Sequence, residues 1–253
     1  MTTAFVGDTA ALTGRSLKHI TRSLDTIITT AIMPIAMMLL FVYVLGGAIE
    51  TGTTSYIDYM LPGILLITIA SGIAYTALRL FNDLKGGIFE RFQSMPIARS
   101  AALWAHVLTS LVANAIALVI VTAVAFAMGF RTGAGIGAWL AVIGILLLVT
   151  LALTWVAVVA GLVAKTPDGA GAFSYPLIFL PFISSAFVPT ASMPGPVQWF
   201  AEYQPMTSIV NTLRALFEGA PVLSDIWIAL AWIVGILVAA YIAAIAVYRR
   251  RMG

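Results

Sequence analysis

The chain has 253 residues, 61% of them hydrophobic and only 9% charged, with a mean hydropathy of +1.05. Soluble domains carry about 45–50% apolar and about 25% charged residues, so a water-soluble globular protein is excluded. A net charge of +3, gathered at the borders of apolar runs, fits a membrane protein and gives no reason to expect a nucleic-acid partner.

Six stretches of 20 residues or more contain no Asp, Glu, Lys or Arg: 26–49, 59–78, 100–130, 132–164, 169–201 and 226–248. About 20 apolar helical residues cross a bilayer core, so each stretch holds one span and none comfortably holds two. Lipid offers the backbone no hydrogen-bond partners, which leaves helices or a closed barrel, and these runs lack a barrel's alternation. The expectation is an all-α membrane protein, one transmembrane domain over 1–253, with six spans near 27–46, 57–78, 103–128, 138–163, 172–190 and 227–248.

Before the first span, Leu17, Ile20, Leu24 and Ile27 recur at helical spacing while Arg15, Lys18 and Arg22 share the opposite face. Segment 12–25 therefore reads as an amphipathic helix in the membrane interface, a reading compatible with a plain basic anchor. The long polar-to-amphipathic lead and the absence of a clear small-residue cleavage site disfavour a signal peptide, so the first span is expected to stay. Span two carries Thr68, Ser71 and Tyr75 as one polar stripe that could face a pathway. In segment 79–100, Gly86 and Gly87 break the helix, Ile88 to Met95 forms a short helix, and Pro96 stops it. Ile88, Phe89, Phe92 and Met95 give that helix a large apolar face rimmed by Glu90, Arg91 and Arg99. Such a face either docks another protein or packs on the ends of its own helices.

Asn114 in span three and Thr150 and Thr154 in span four are expected to hydrogen-bond between helices. Span five, with Phe173, Pro176, Phe179, Pro181 and Phe182 beside Ser184 and Ser185, reads as a kinked aromatic helix. Segment 188–225 holds Pro189, Pro194, Pro196, Pro205 and Pro221, then Trp199, Phe200 and Tyr203 beside Glu202, and Arg214 one turn before Glu218. Two short amphipathic helices dipping into the interface, a re-entrant helical hairpin, account for it. Of the 13 Lys and Arg, all but Arg131 and Arg214 fall on one side of this topology. By the positive-inside rule that side is cytoplasmic and holds both termini, making segment 79–100 cytoplasmic and 188–225 external.

The residues of the common catalytic and nucleotide-binding motifs are missing or misplaced. A P-loop needs a lysine between glycine and Ser or Thr, and Lys18, Lys85 and Lys165 follow Leu17, Leu84 and Ala164. The chain is thus not expected to bind ATP by itself. His19 and His106 are isolated and cysteine is absent, which removes the common zinc sites and a cysteine nucleophile; no metal and no catalytic residue are assigned, and His106 reads as a hydrogen-bonded helix residue. No Asp, Glu, Lys or Arg lies within the six stretches, which disfavours a secondary carrier.

Two motifs then carry a resemblance: Asp83-Leu-Lys-Gly-Gly-Ile-Phe-Glu-Arg-Phe-Gln-Ser-Met-Pro-Ile-Ala-Arg99, and Met193-Pro-Gly-Pro-Val-Gln-Trp-Phe-Ala-Glu-Tyr-Gln-Pro-Met-Thr-Ser-Ile-Val-Asn-Thr-Leu-Arg-Ala-Leu-Phe-Glu-Gly219. With the order of six spans, they resemble the type-2 ABC exporter permeases, and among them the daunorubicin-resistance permease type. Gly86-Gly87 stands where that pattern has a single glycine after an acidic or polar residue. The resemblance implies that Ile88, Phe89, Glu90, Arg91, Phe92, Met95 and Arg99 form a coupling helix docking on a separate ABC ATPase subunit, which holds the ATP and Mg. It further implies a connecting helix at 12–25, a second permease copy as homo- or heterodimer, and a substrate route along Thr68, Ser71, Tyr75, Phe179 and Phe182. Trp199, Phe200, Tyr203, Pro205 and Arg214 would form an external gate. The implied function is ATP-driven export of a hydrophobic or amphipathic compound, drug or lipid, across the cell membrane. A membrane scaffold recruiting a cytoplasmic protein is the alternative.

Overall fold

The structure, a computed structural model, describes residues 13, 24–46, 55–86, 101–222 and 224–252. Arg15, Lys18 and Arg22, and the run from Ile88 to Arg99, lie outside them. Among the described residues all regular structure is helical: α1 (Leu24–Leu40), continued by one π turn (Phe41–Leu45), α2 (Tyr56–Lys85), α3 (Ala101–Ala127), α4 (Ile136–Val163), α5 (Pro167–Ala172), α6 (Ser174–Phe179), α7 (Gly195–Tyr203), α8 (Pro205–Glu218) and α9 (Asp225–Met252). Four of these, α2, α3, α4 and α9, are long and apolar enough to cross a membrane.

The other two expected spans take different forms. The apolar run of α1 and its π turn, Thr30–Leu45, is shorter than the four crossing helices. The 172–190 reading is replaced by α5, α6 and a 3-10 turn at Leu180–Ile183. The reason is local: Pro176 and Pro181 have no N–H to give the preceding turn, and each breaks the hydrogen-bond ladder. Boundaries elsewhere follow familiar rules. The Thr166 hydroxyl caps α5 by accepting from the Gly169 N–H at 3.1 Å, with Pro167 in the first helical position. Helix α3, free of Gly and Pro, stops before Gly129, which has φ +106.

Helix α2 is the hub, packing against α1, α3, α4, α5, α6 and α8, while α9 lies along α4. Gly161 of α4 sits directly on α2: a Cβ there would stand 2.7 Å from the Ala77 carbonyl oxygen and 3.3 Å from its Cα. Gly161→Ala is therefore expected to force the two backbones apart and destabilise the protein by about 1–3 kcal/mol. Thermal unfolding of the detergent-solubilised protein checks this, with Gly144→Ala, which meets nothing within 4 Å, as the silent control.

The buried apolar side chains form two clusters. The larger joins α1, α2, α3, α4, α8 and α9 around Leu65, Ile69, Val121, Val149, Leu213 and Ile233. The smaller gathers Leu80, Leu103, Val107, Trp155, Leu162 and Tyr248 at the Asp83 end of the bundle. Between them lies a layer of hydroxyls: Thr76 Oγ1 donates to Ser110 Oγ at 2.9 Å, and Ser110 Oγ is 3.2 Å from Thr154 Oγ1. At this end an Arg251 guanidinium N–H also meets the Leu162 carbonyl. At the opposite end the α3–α4 loop docks on α8 and α2. The Arg131 N–H donates to Asp58 Oδ1 at 3.1 Å, and the Gly133 N–H to the Phe217 carbonyl at 3.0 Å.

Candidate functional site

The most connected polar site lies at the Asp58 end, where α8 covers the non-helical stretch after α6. Gln204, Thr207, Asn211 and Arg214 follow one another at three- and four-residue steps, so they line one face of α8. Each uses that face to satisfy backbone or side chain in 180–187. Gln204 Nε2 donates to the Ile183 carbonyl at 3.1 Å and to that of Leu180 at 3.3 Å. Its Oε1 caps α8 by accepting from the Met206 N–H. Thr207 Oγ1 accepts from the Ser185 N–H at 3.3 Å and donates to the Ala201 carbonyl. Asn211 Oδ1 accepts from Ser185 Oγ at 2.7 Å and from Arg214 Nη1 at 3.2 Å.

Arg214 completes the row. Its Nη2 donates to the Ser185 carbonyl at 2.7 Å and the Tyr59 carbonyl at 3.1 Å, and its Nε to Tyr59 again at 3.2 Å. The guanidinium carbon lies 3.7 Å from the centre of the Tyr59 ring, a cation–π contact. Burial pulls the Arg214 pKa below the ordinary arginine value, while Tyr59 and Glu218 act in the opposite direction. One side chain thus ties α8, the 184–187 turns and the first turn of α2 together. Buried backbone outside a helix needs partners for its polar groups, and this face of α8 supplies them to Ile183 and Ser185. Tyr56 adds a second tie, its hydroxyl donating to the Phe187 carbonyl at 3.1 Å.

The residues expected to form an external gate separate into two groups. The rings of Trp199 and Tyr203 of α7 lie tilted with centres 5.5 Å apart and are each 65% exposed, with Phe200 also exposed. Pro205 opens α8, and Arg214 turns inward. Of the expected route, Thr68 is buried with its hydroxyl on the Ile64 carbonyl of its own helix at 2.8 Å, whereas Ser71 and Tyr75 are half-buried. Phe179 is 61% exposed, and its ring centre lies 6.2 Å from that of Phe182, which stacks on Phe187 at 4.9 Å.

Thr154 makes the expected inter-helix bond through Ser110, but Thr150 donates to the Leu146 carbonyl of its own helix at 2.7 Å. Asn114 also turns to its own helix, its Nδ2 donating to the Ser110 carbonyl at 3.0 Å. Its Oδ1 lacks a partner among the described residues and presses on Gly72, where a Cβ would stand 2.2 Å away. His106 Nε2 is 3.2 Å from Asp83 Oδ2. Gln204, Thr207, Asn211 and Tyr59 were missed from sequence, although the spacing of the first three with Arg214 was there to read. Among the described residues no three His, Cys, Asp or Glu side chains converge as a metal site would require.

Apolar crossing helices around one central helix, with a polar-seamed cover at one end, define a multi-pass helical membrane protein. The family model described as ABC-2 type transporter matches residues 8–217, and the chain belongs to that family of membrane permeases. It is similar to the daunorubicin resistance ABC transporter permease protein DrrB1 of Streptomyces coeruleorubidus, 28% identical over 211 residues covering 81% of this chain and 72% of that one. It is also similar to the probable doxorubicin resistance ABC transporter permease protein DrrC of Mycobacterium tuberculosis, 27% identical over 248 residues covering 97% and 90%. The family expected from the motifs at 83–99 and 193–219 is the family found.

Proposed function

We propose that this chain is the permease half of an ATP-driven exporter that moves a hydrophobic or amphipathic compound, drug or lipid, out of the cytoplasm. The observation that carries the reading is the family match across 8–217 in a chain with no P-loop of its own. Relatives named for daunorubicin and doxorubicin resistance, together with neutral polar groups along the uncharged stretches, favour an apolar cargo over an ion. In this reading the chain crosses the membrane six times, with α1 and the broken 167–187 segment supplying the first and fifth passes. The end carrying Asp83, His106 and Arg251 faces the cytoplasm, with both termini, and the α7–α8 cover faces outside.

Segment 88–99 docks on a separate ABC ATPase subunit, and the 12–25 helix lies beside it. Two permease copies enclose the route, with α2 and the 174–183 stretch facing it. ATP binding in the partner draws the ATPases together, pushes the docked loops and rocks the copies between inward and outward access. Cargo couples to that motion only through its different affinities for the two states.

Capture of the tagged chain from gently solubilised membranes, followed by mass spectrometry, tests this. A P-loop ATPase is expected at stoichiometric yield, and Phe89→Ala with Phe92→Ala is expected to lose it. Absence of any ATPase, under conditions that keep other membrane complexes whole, removes the exporter reading.

A further inference from the structure

Asp83 lies on the last turns of α2 and His106 on the second turn of α3, so the pair closes the root of the segment that joins those helices. Its two side chains meet at 3.2 Å and are 31% and 11% exposed. The surroundings explain why a directional contact matters there. Both stems insert into one apolar cluster, Leu80 from α2 and Leu103 and Val107 from α3, backed by Trp155 and Leu162 of α4 and Tyr248 of α9. Edge-on rings reinforce it: Trp155 meets Trp104 at 5.2 Å and Tyr241 at 4.8 Å. Apolar packing resists separation but is non-directional, and the contacts that set α2 against α3, Thr76 with Ser110 and Gly72 with Asn114, lie further along the bundle, so the pair is the directional contact nearest the segment. Among the described residues, no ion pair from another charge on the α2 stem reaches α3. Arg79 interacts with Asp83 along α2 itself, and Lys85 lies 6.0 Å from the Phe81 ring of the same helix.

We infer that Asp83 and His106 are a positioning pair that fixes the register of α2 against α3 at the root of segment 87–100. A displacement delivered to that segment then moves both helices as one unit, and through α2 reaches the Arg214 seam at the far end. This rests on the proposal that the segment receives an ATPase.

The test uses the complete permease–ATPase complex in lipid and follows amide hydrogen exchange of residues 205–218 with and without ATP. In the parent complex ATP is expected to change exchange there. Asp83→Ala and His106→Ala, each alone, are expected to shrink that change roughly fivefold or more while the ATPase stays bound and hydrolyses ATP. Asp83→His combined with His106→Asp restores it. An undiminished change in either single variant overturns the pair's role, as does an exchanged pair that assembles without recovering the change. Where a single variant does not assemble, the exchanged pair decides by itself. A parent complex that contains no ATPase overturns the functional reading beneath the proposal instead.

Discussion

Arg214→Ala is expected to destabilise the protein by about 3 kcal/mol, because it strips donors from buried carbonyls and a cation from an aromatic face. The Ser185 carbonyl is the most exposed to this loss. It belongs to a turn with no helical ladder to fall back on, and Arg214 Nη2 reaches it at 2.7 Å. Asn211, which holds both Arg214 and Ser185, loses one of its two donors as well. Arg214→Lys keeps the charge but not the fork, since one ammonium cannot span Tyr59, Ser185 and Asn211 in a plane, and it is expected to recover less than half of the stability. Because arginine stays protonated, the parent's stability from this source should be flat over about pH 6 to 9. Thermal unfolding in nanodiscs, read by tryptophan fluorescence, decides: an alanine variant that melts with the parent removes Arg214 from the role described. Transport is expected to fall with stability, since the 184–187 turns lose their anchor to α2.

The second large effect is expected at Glu90 and Arg91. If segment 88–99 receives the ATPase, Glu90→Ala or Arg91→Ala should abolish ATP-driven transport while membrane insertion and protein yield stay normal. The physical reason is that a docking contact transmits force only through groups that bind the partner, and charged pairs at such a contact fix register as well as affinity. Efflux from intact cells together with the yield of membrane-embedded chain makes the measurement. Full efflux by either variant would remove that residue from coupling.

The sequence was most legible where charge alone decides. Uncharged runs mark α2, α3, α4 and α9, because a charge is costly in hydrocarbon and a soluble helix of such length carries several. Hydropathy counts side chains and says little of the continuity of the backbone, so the run 169–201 read as one kinked span, whereas its prolines divide it into α6 and a 3-10 turn. The same limit hid who bonds to whom. Thr68, Ser71 and Tyr75 share a face by spacing, yet Thr68 spends its hydroxyl on Ile64, a choice that spacing cannot reveal. Arg214 was noticed because a cation in an external segment stands out, and its neighbours Gln204, Thr207 and Asn211 were overlooked because neutral polar residues in an amphipathic helix look like its wet face. Gly72 and Gly161 were silent in sequence, since a close approach exists only once two helices are packed.

The central place of α2 bears on how the surrounding bilayer can influence the protein. Two-thirds of its crossing window, 67%, is buried inside the protein, against 39% for α3 and 22% for α9. Its apolar surface is matched to other helices more than to acyl chains. A change in bilayer thickness is met by tilt of the helices that touch lipid, so α3 and α9 take that load first. It reaches α2 only through the faces it shares with its neighbours, among them the contact of Gly161 with Ala77. Membranes of different acyl length therefore act on this permease from its rim inward, and the helix at its centre is the last to sense them.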